Sequence, residues 1–186
     1  MIELLIHAVA GTSSEGDRSM VIMKEKGGER ILPVMMSTRR AMLLMMRSKV
    51  PLPMPVPVSV ADLSYQLMNK FGIRLVRVEL TAIKDGVFFS RVVGEREGEE
   101  QVVDFCQAPD GLVMAVIANC PIMINEELME AQYMHKTGDN TFALNINTLS
   151  RQMLEDALKH AVESENYEAA SALRDELAKR SPAQPS

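Results

Sequence analysis

The chain has 186 residues, with 20 Lys and Arg against 25 Asp and Glu, a net charge of −5, 15 Met and no Trp, a composition that excludes disordered, collagen-like and globally basic nucleic-acid-binding classes. Glu3, His7, the prolines and scattered charges cut every apolar run short of the roughly 18 residues of a spanning helix, and Met1-Ile2-Glu3-Leu4-Leu5 lacks the basic start of a signal peptide, so a cytoplasmic protein with no membrane partner is expected. Cys106 and Cys120 form no CxxC pair and no Cys/His spacing suited to zinc, which excludes a disulfide framework and leaves two reduced thiols.

In chain order, β-rich runs occupy Leu4–Val9, Ser19–Glu25 and Arg30–Met35, the last two joined across Gly27-Gly28, a pair suited to positive φ. A helix follows, capped by Ser37 or Thr38, with Ala41, Leu44, Met45 and Ser48 at spacings of three and four, and Pro51 stops it. Arg39, Arg40, Arg47 and Lys49 fall in this stretch with no acid among them, which makes it the candidate anion-facing surface. Pro51, Pro53, Pro55 and Pro57 then predict a stiff extended crossover over 50–60. Ser59 or Asp62 opens a second helix whose buried face is expected from Leu63, Leu67, Met68 and Phe71, with Gly72 as a left-handed cap.

Three more β-rich runs, Arg74–Ile83, Val87–Glu95 and Gln101–Phe105, are separated by Asp85-Gly86 and Glu97-Gly98, both hairpin signals. A helix from about Pro109 to Ala118, a strand at Pro121–Ile124 and an acidic helix at Glu126–Ala131 complete the pattern. Both halves run strand, strand, glycine turn, strand, helix. The fold class expected is therefore α+β: a largely antiparallel or mixed sheet from a duplicated βββα unit with helices on one face, followed by a two-helix antiparallel hairpin.

The main domain is placed at 1–134, a polar linker at 135–147, the hairpin at 148–180 and a frayed tail at 181–186. In the hairpin, Leu149, Met153, Ala157 and Ala161 line one helix, Ser164-Glu165-Asn166 breaks it, and Tyr167, Ala170, Leu173 and Leu177 line the next, capped by Asn166. A hairpin of this size lies below the roughly 40 residues at which an isolated core suffices. Its apolar stripe must meet its own core domain, a second copy or another protein. The methionines are read as flexible core filling, with the densest group also suited to a subunit interface, so a homo-oligomer is expected. There is no P-loop, GxGxxG, GxSxG or HExxH, and His7, among apolar strand residues, reads as a hydrogen-bonded structural histidine.

Two resemblances follow from these residues. Asn166-Tyr167-Glu168-Ala169-Ala170-Ser171-Ala172-Leu173-Arg174-Asp175-Glu176-Leu177 resembles the UVR domain, the docking hairpin of bacterial excision-nuclease subunits and of adaptors of Clp-type chaperones and proteases. The resemblance implies a protein partner contacted through Tyr167, Ala170, Leu173, Arg174 and Leu177. The main domain is similar to the bifunctional nuclease domain of bacteria and plants, named for action on both DNA and RNA. That similarity rests on Ile31-Leu32-Pro33-Val34, the proline-rich entry to Asp62-Leu63, Gly72, Asp85-Gly86-Val87-Phe88-Phe89, Asp104, Asp110 and Pro121-Ile122.

The nuclease resemblance implies phosphodiester hydrolysis of DNA or RNA with Asp62, Asp104 and Asp110 as catalytic residues and Arg39, Arg40 and Arg47 as phosphate contacts. Asp104 at a strand end and Asp110 at a helix start could together hold one hydrated Mg²⁺ or Mn²⁺. The same aspartates suit helix caps and a turn, and the arginines suit a solvated face. The chain departs from the family pattern at Val60-Ala61, where Thr-His is usual, at Thr38-Arg39-Arg40, and at Phe105-Cys106-Gln107, where an Arg is missing. Two functions therefore stand side by side: a nuclease with a docking hairpin, or a non-catalytic adaptor that recruits a repair or proteolysis partner.

Overall fold

Alternating burial and glycine turns build the sheet. The computed structural model describes residues 1–11, 17–49, 59–138, 141–143 and 145–180; the proline crossover lies outside them except for Ser59 and Val60, as does the tail 181–186. The strands are β1 (Ile2–Gly11), β2 (Arg18–Glu25), β3 (Ile31–Ser37), β4 (Arg74–Lys84), β5 (Val87–Arg96), β6 (Glu99–Gln107) and β7 (Ile122–Ile124). In β2 every second residue, Ser19, Val21 and Met23, turns inward, as a strand covered on one face requires. Both hairpin turns of the second half have positive φ at both central residues, Asp85 at 52° with Gly86 at 76°, and Glu97 at 55° with Gly98 at 86°. That is the backbone whose twist matches the flanking strands. At the Gly27-Gly28 turn only Gly27 uses it, at 79°.

The sheet order is β3-β2-β1-β7-β4-β5-β6, antiparallel throughout except for the parallel pair β4–β7. Two three-stranded meanders thus flank β7. Each is followed by a helix, α1 (Thr38–Lys49) after the first and α3 (Ala108–Ala118) after the second, with α2 (Val60–Lys70) between the units. This is the duplicated βββα arrangement within a mixed α+β sheet. α3 packs against both α1 and α2 and on β4, β5 and β6, while α1 lies on β1, β2 and β3, so the three helices share one face. The core between them contains Leu4, Val21, Leu32, Leu44, Val78, Leu80, Phe88, Leu112 and Ile124. A Cβ built on Gly111 of α3 would lie 2.4 Å from Ser90 Oγ and 3.1 Å from Val78 Cγ1. Only glycine lets α3 come this close to the sheet.

α2 differs from expectation. Ser59 is its N-cap and Asp62 completes a reciprocal capping box, and Gly72 is left-handed at 70°, but Leu63, Leu67 and Phe71 are exposed. The face toward the core is Ala61, Asp62, Tyr65 and Met68. Periodicity marks two stripes on this helix, and the capping box, by turning Asp62 inward, decides which one packs. His7 also differs: it is exposed, at a register break in β1 between Ile6 and Ala8, where the extra residue leaves the ladder.

After β7, α4 (Glu126–Gln132) is tied to the β2–β3 turn by Arg30, which pairs with Glu25, Glu126 and Glu130. Within 135–147, β8 (His135–Gly138) pairs with β9 (Thr141–Ala143), and a short 3-10 turn at Ile146–Thr148 follows. α5 (Arg151–Glu163) and α6 (Tyr167–Lys179) form the hairpin around Leu154, Ala161, Ala170 and Leu173, a core separate from the main one. Ser150 and Asn166 cap them as side-chain acceptors. Arg180 is buried and donates to the carbonyls of Ile146, Asn147 and Leu149 and to Glu176. The hairpin touches the main domain where Leu149 covers Gly86, so closely that a Cβ there would lie 2.4 Å from the Leu149 carbonyl oxygen. No described helix is long and apolar enough to cross a membrane.

Candidate functional site

The starts of α1 and α3 lie side by side, because both helices follow an edge of the same sheet and pack on each other. Arg40 in the first turn of α1 and Asp110 in the first turn of α3 form a two-point ion pair, Nε to Oδ1 at 2.9 Å and Nη2 to Oδ2 at 3.0 Å. Such fork geometry is the guanidinium's match to a carboxylate or a phosphate. β6 delivers Asp104 to the same end. Its Oδ1 accepts from Arg91 Nε at 2.6 Å.

A local distortion aims these groups. Between Ser90 and Val92 the β5–β6 register shifts, and Phe105 sits at φ 60° with 86 % of its surface exposed. A bulky residue in left-handed backbone on an edge strand costs about 1–3 kcal/mol, and such strain collects at sites where a side chain is re-aimed. Cys106 follows and is half-buried. Burial pushes its thiol up, and the Asp110 and Asp104 carboxylates push it further the same way, which keeps it protonated at neutral pH.

Behind the pair runs a ladder of charge. Arg91 also approaches Glu79 at 3.8 Å, and Arg77 joins Glu79 to Glu100. Asp104 pulls the Arg91 guanidinium up, and Glu100 does the same for Arg77, so both cations stay charged at any working pH.

Asp62 lies elsewhere. It accepts from Ser59 N at 2.9 Å, Ser59 Oγ at 2.7 Å and Arg47 Nη2 at 2.5 Å, at the opposite end of α1 from Arg40. Burial pushes its carboxyl up, but the Ser59 and Arg47 donors outweigh this and hold it below the usual range. The structure thus pairs Asp110 with Arg40, beside exposed Arg39 on α1, pairs Asp104 with Arg91 on the face of the sheet that carries Glu79, and leaves Asp62 with Arg47. Arg47 borders a cleft of about 520 Å³ with Leu5, Ile6, Val116, Asn119 and Cys120. Burial pushes the Cys120 thiol up to about 11, which keeps it protonated.

Sequence reasoning missed Arg91 and Cys106. Arg91 was findable: counting outward from the Glu97-Gly98 turn sets it opposite Asp104. Cys106 was not, because nothing in the residue order announces the reversal at Phe105.

For Mg²⁺ or Mn²⁺ the donors as they stand do not fit. Asp110 and Asp104 are each already paired with a guanidinium group, and among the described residues no group of three His, Cys, Asp or Glu is placed to hold a metal. In the hairpin, Ala170 and Leu173 are taken up by its own core and Leu177 packs against it, while Tyr167, 70 % exposed, and Arg174 face outward.

No curated protein matches the chain. A model of the bifunctional nuclease domain matches residues 21–137, a span that runs from within β2 through β3, α1, α2, the β4–β5–β6 meander, α3 and β7 to α4 and includes Arg40, Asp104 and Asp110. With that match over more than half its length, the chain belongs to the bifunctional nuclease domain family.

Proposed function

We propose that the chain is a nuclease-like protein that engages the phosphodiester backbone of DNA or RNA at the end where α1, α3 and β6 meet. The observation that carries this reading is the fork pairing of Arg40 with Asp110 where α1 and α3 start. Arg40 is positioned to exchange that carboxylate for phosphate oxygens, which are acceptors of the same geometry. Arg39 adds a second, exposed cation on the same turn of α1. Once released, Asp110 is an acceptor beside the bound phosphate, suited to orient a water and take its proton, while the guanidinium stabilises charge developing on the phosphoryl oxygens. Asp104 is assigned a supporting role through its own pair with Arg91 on the strand that leads into α3. No step in this scheme passes through a metal. Asp62 and Arg47 serve the scheme indirectly by fixing the junction of α1 with α2.

The test is incubation of the purified chain with labelled single- and double-stranded DNA and RNA, with Mg²⁺, Mn²⁺ or chelator, beside Asp104→Asn/Asp110→Asn. Cleavage by the native chain that the double variant loses supports the reading, and the chelator arm decides the metal. Absence of both cleavage and binding in a folded sample overturns it. Binding itself should weaken linearly in log–log with salt, and Arg39→Ala/Arg40→Ala should shallow that slope by about 1.4–1.8, since each phosphate contact contributes about 0.7–0.9.

A second reading, an adaptor acting in the cytoplasm on a repair or proteolysis partner, draws on the hairpin. Val162 and Tyr167 flank its tip and are both exposed, an apolar pair unused by its own core. Retention of the hairpin's partner by the Asp104→Asn/Asp110→Asn chain, with no nuclease activity in either form, would favour it.

A further inference from the structure

Phe105 is 86 % exposed, more than any other large apolar side chain among the described residues, and it belongs to neither apolar core. Its backbone is left-handed, at φ 60°. The other described non-glycine residues in that region are Asp85, Glu97, Asn119 and Glu165. All four are polar and lie at a hairpin turn or a helix end, where such a conformation is common. Phe105 alone is bulky, and burial of its ring offsets none of the strain. Strain that the fold does not use marks a functional position.

The register shows what the distortion achieves. Cys106 pairs with Ser90 and Val103 with Val92, so Arg91 alone faces two residues, Asp104 and Phe105. Phe105, in left-handed backbone, is the extra residue of a bulge, which takes its side chain out of the alternation of the ladder. β6 is an edge strand, so the ring stands on an open margin of the sheet. Past the bulge the chain runs into α3: Ser90, the partner of Cys106, lies under Gly111, and Asp110 holds Arg40. Five residues carry the chain from Phe105 to Asp110, a span of at most about 18 Å.

We propose that Phe105 is a base-stacking residue, and that the site where α1 and α3 start takes a single strand of DNA or RNA in preference to a duplex. The inference rests on the nuclease-like reading and names its substrate class. A strand whose phosphates lie on Arg39 and Arg40 carries its bases alongside, and the exposed Phe ring within the same span offers one of them a flat apolar surface. Every base has a π-face, so such a stack adds affinity without sequence preference. In a duplex both faces of each base are covered by its neighbours, and reaching the ring requires that a nucleotide be unpaired and unstacked first. Charge sets the direction of approach. Glu95, Glu97, Glu99 and Glu100 cluster at the turn end of the β5–β6 hairpin, whereas Arg40 and exposed Arg39 lie at the end where β6 enters α3. A polyanion is therefore drawn to the end that carries the ring.

Fluorescence anisotropy of the full chain with labelled oligonucleotides is the test, using one sequence as single-stranded DNA, single-stranded RNA, duplex DNA, and an abasic single strand that keeps the phosphates. The native chain should bind both base-bearing single strands more tightly than the duplex or the abasic strand. Phe105→Ala should weaken single-strand binding by about 5–150-fold, the loss of one stack. Its slope against salt should not change, because no phosphate contact is removed, and the abasic strand should bind as before. Phe105→Tyr should restore the affinity. Phe105→Gly, which relieves the left-handed strain, should bind as weakly as the alanine variant yet melt no lower than the native chain. Single-strand binding unchanged in Phe105→Ala, an equal loss on the abasic strand, duplex bound as tightly as single strand by the native chain, or a lower melting temperature in Phe105→Gly overturns the inference and leaves the nuclease-like reading standing. Failure of the native chain to bind any of the four probes overturns both.

Discussion

Asp62 and Cys106 show how single side chains report their surroundings. Asp62 is held below the normal carboxylate range by Ser59 and Arg47 despite its burial, so its folded-state pKa lies below the unfolded value of about 4. Its contribution to stability is then complete above the unfolded pKa and is lost as pH falls through the folded one. Asp62→Asn should therefore cost about 2 kcal/mol near pH 7, through the lost cap and ion pair, and in urea unfolding the gap from the native chain should narrow progressively as pH falls below about 4. Cys106 tests the electrostatic reach of Asp104 and Asp110 without any assay of turnover. Both acids raise its pKa, after burial. Asp104→Asn/Asp110→Asn should thus speed iodoacetamide labelling of Cys106 several-fold at pH 8, with Cys120, whose thiol is pushed up to about 11 by burial alone, as the internal control. An unchanged rate would mean that the two carboxylates do not face this thiol. Asp104 and Asp110 were singled out by the resemblance to the nuclease family. The pairing of Asp104 with Arg91 follows from the register of the Glu97-Gly98 hairpin, whereas that of Asp110 with Arg40 is tertiary, since 70 residues separate them.

At the scale of elements, two contacts decide how helices sit. Gly111 is mid-helix, where alanine is normally favoured by about 1 kcal/mol, but its missing Cβ is the space filled by Ser90 Oγ. Gly111→Ala should destabilise by about 1–3 kcal/mol through overpacking, and Ser90→Ala in the same chain should recover part of the loss, as read from thermal unfolding. Arg180 closes the hairpin by spanning three carbonyls and Glu176. Arg180→Lys should fail to replace it, because a single ammonium cannot reproduce the fork; faster hydrogen exchange of α5 and α6 amides, with β2 and β4 unchanged, is the expected signature. The sequence showed that α2, α5 and α6 are helices, from their spacing and caps. It did not show which side of α2 packs, because both of its stripes are apolar and the choice is made by the inward turn of Asp62. The basic Arg180 was legible as a helix-end cation, but its reach to the 3-10 turn 31 to 34 residues earlier depends on how the hairpin folds back.

For the whole molecule, the meanders on either side of β7 and the separate hairpin core predict two stabilities in one chain. A chain ending before residue 145 should keep the far-UV spectrum of the seven-stranded sheet and unfold cooperatively, since the main core lies entirely before that point; loss of the folded sheet would show instead that the Leu149 contact on Gly86 is indispensable. What the sequence determined by itself is local: hairpin turns at Asp85-Gly86 and Glu97-Gly98, helix starts at Ser59, Ser150 and Asn166, and the repeat of strands and helix that makes the fold α+β. These follow from φ preference, capping and periodicity, which act over a few residues. The tertiary structure alone decided that β7 inserts between the two units, that Asp110 meets Arg40 while Asp62 stays with Arg47, and that Leu63, Leu67 and Phe71 face outward. Each of those outcomes depends on which distant surfaces are buried together, and burial is a property of the assembled chain that no short stretch of residues carries.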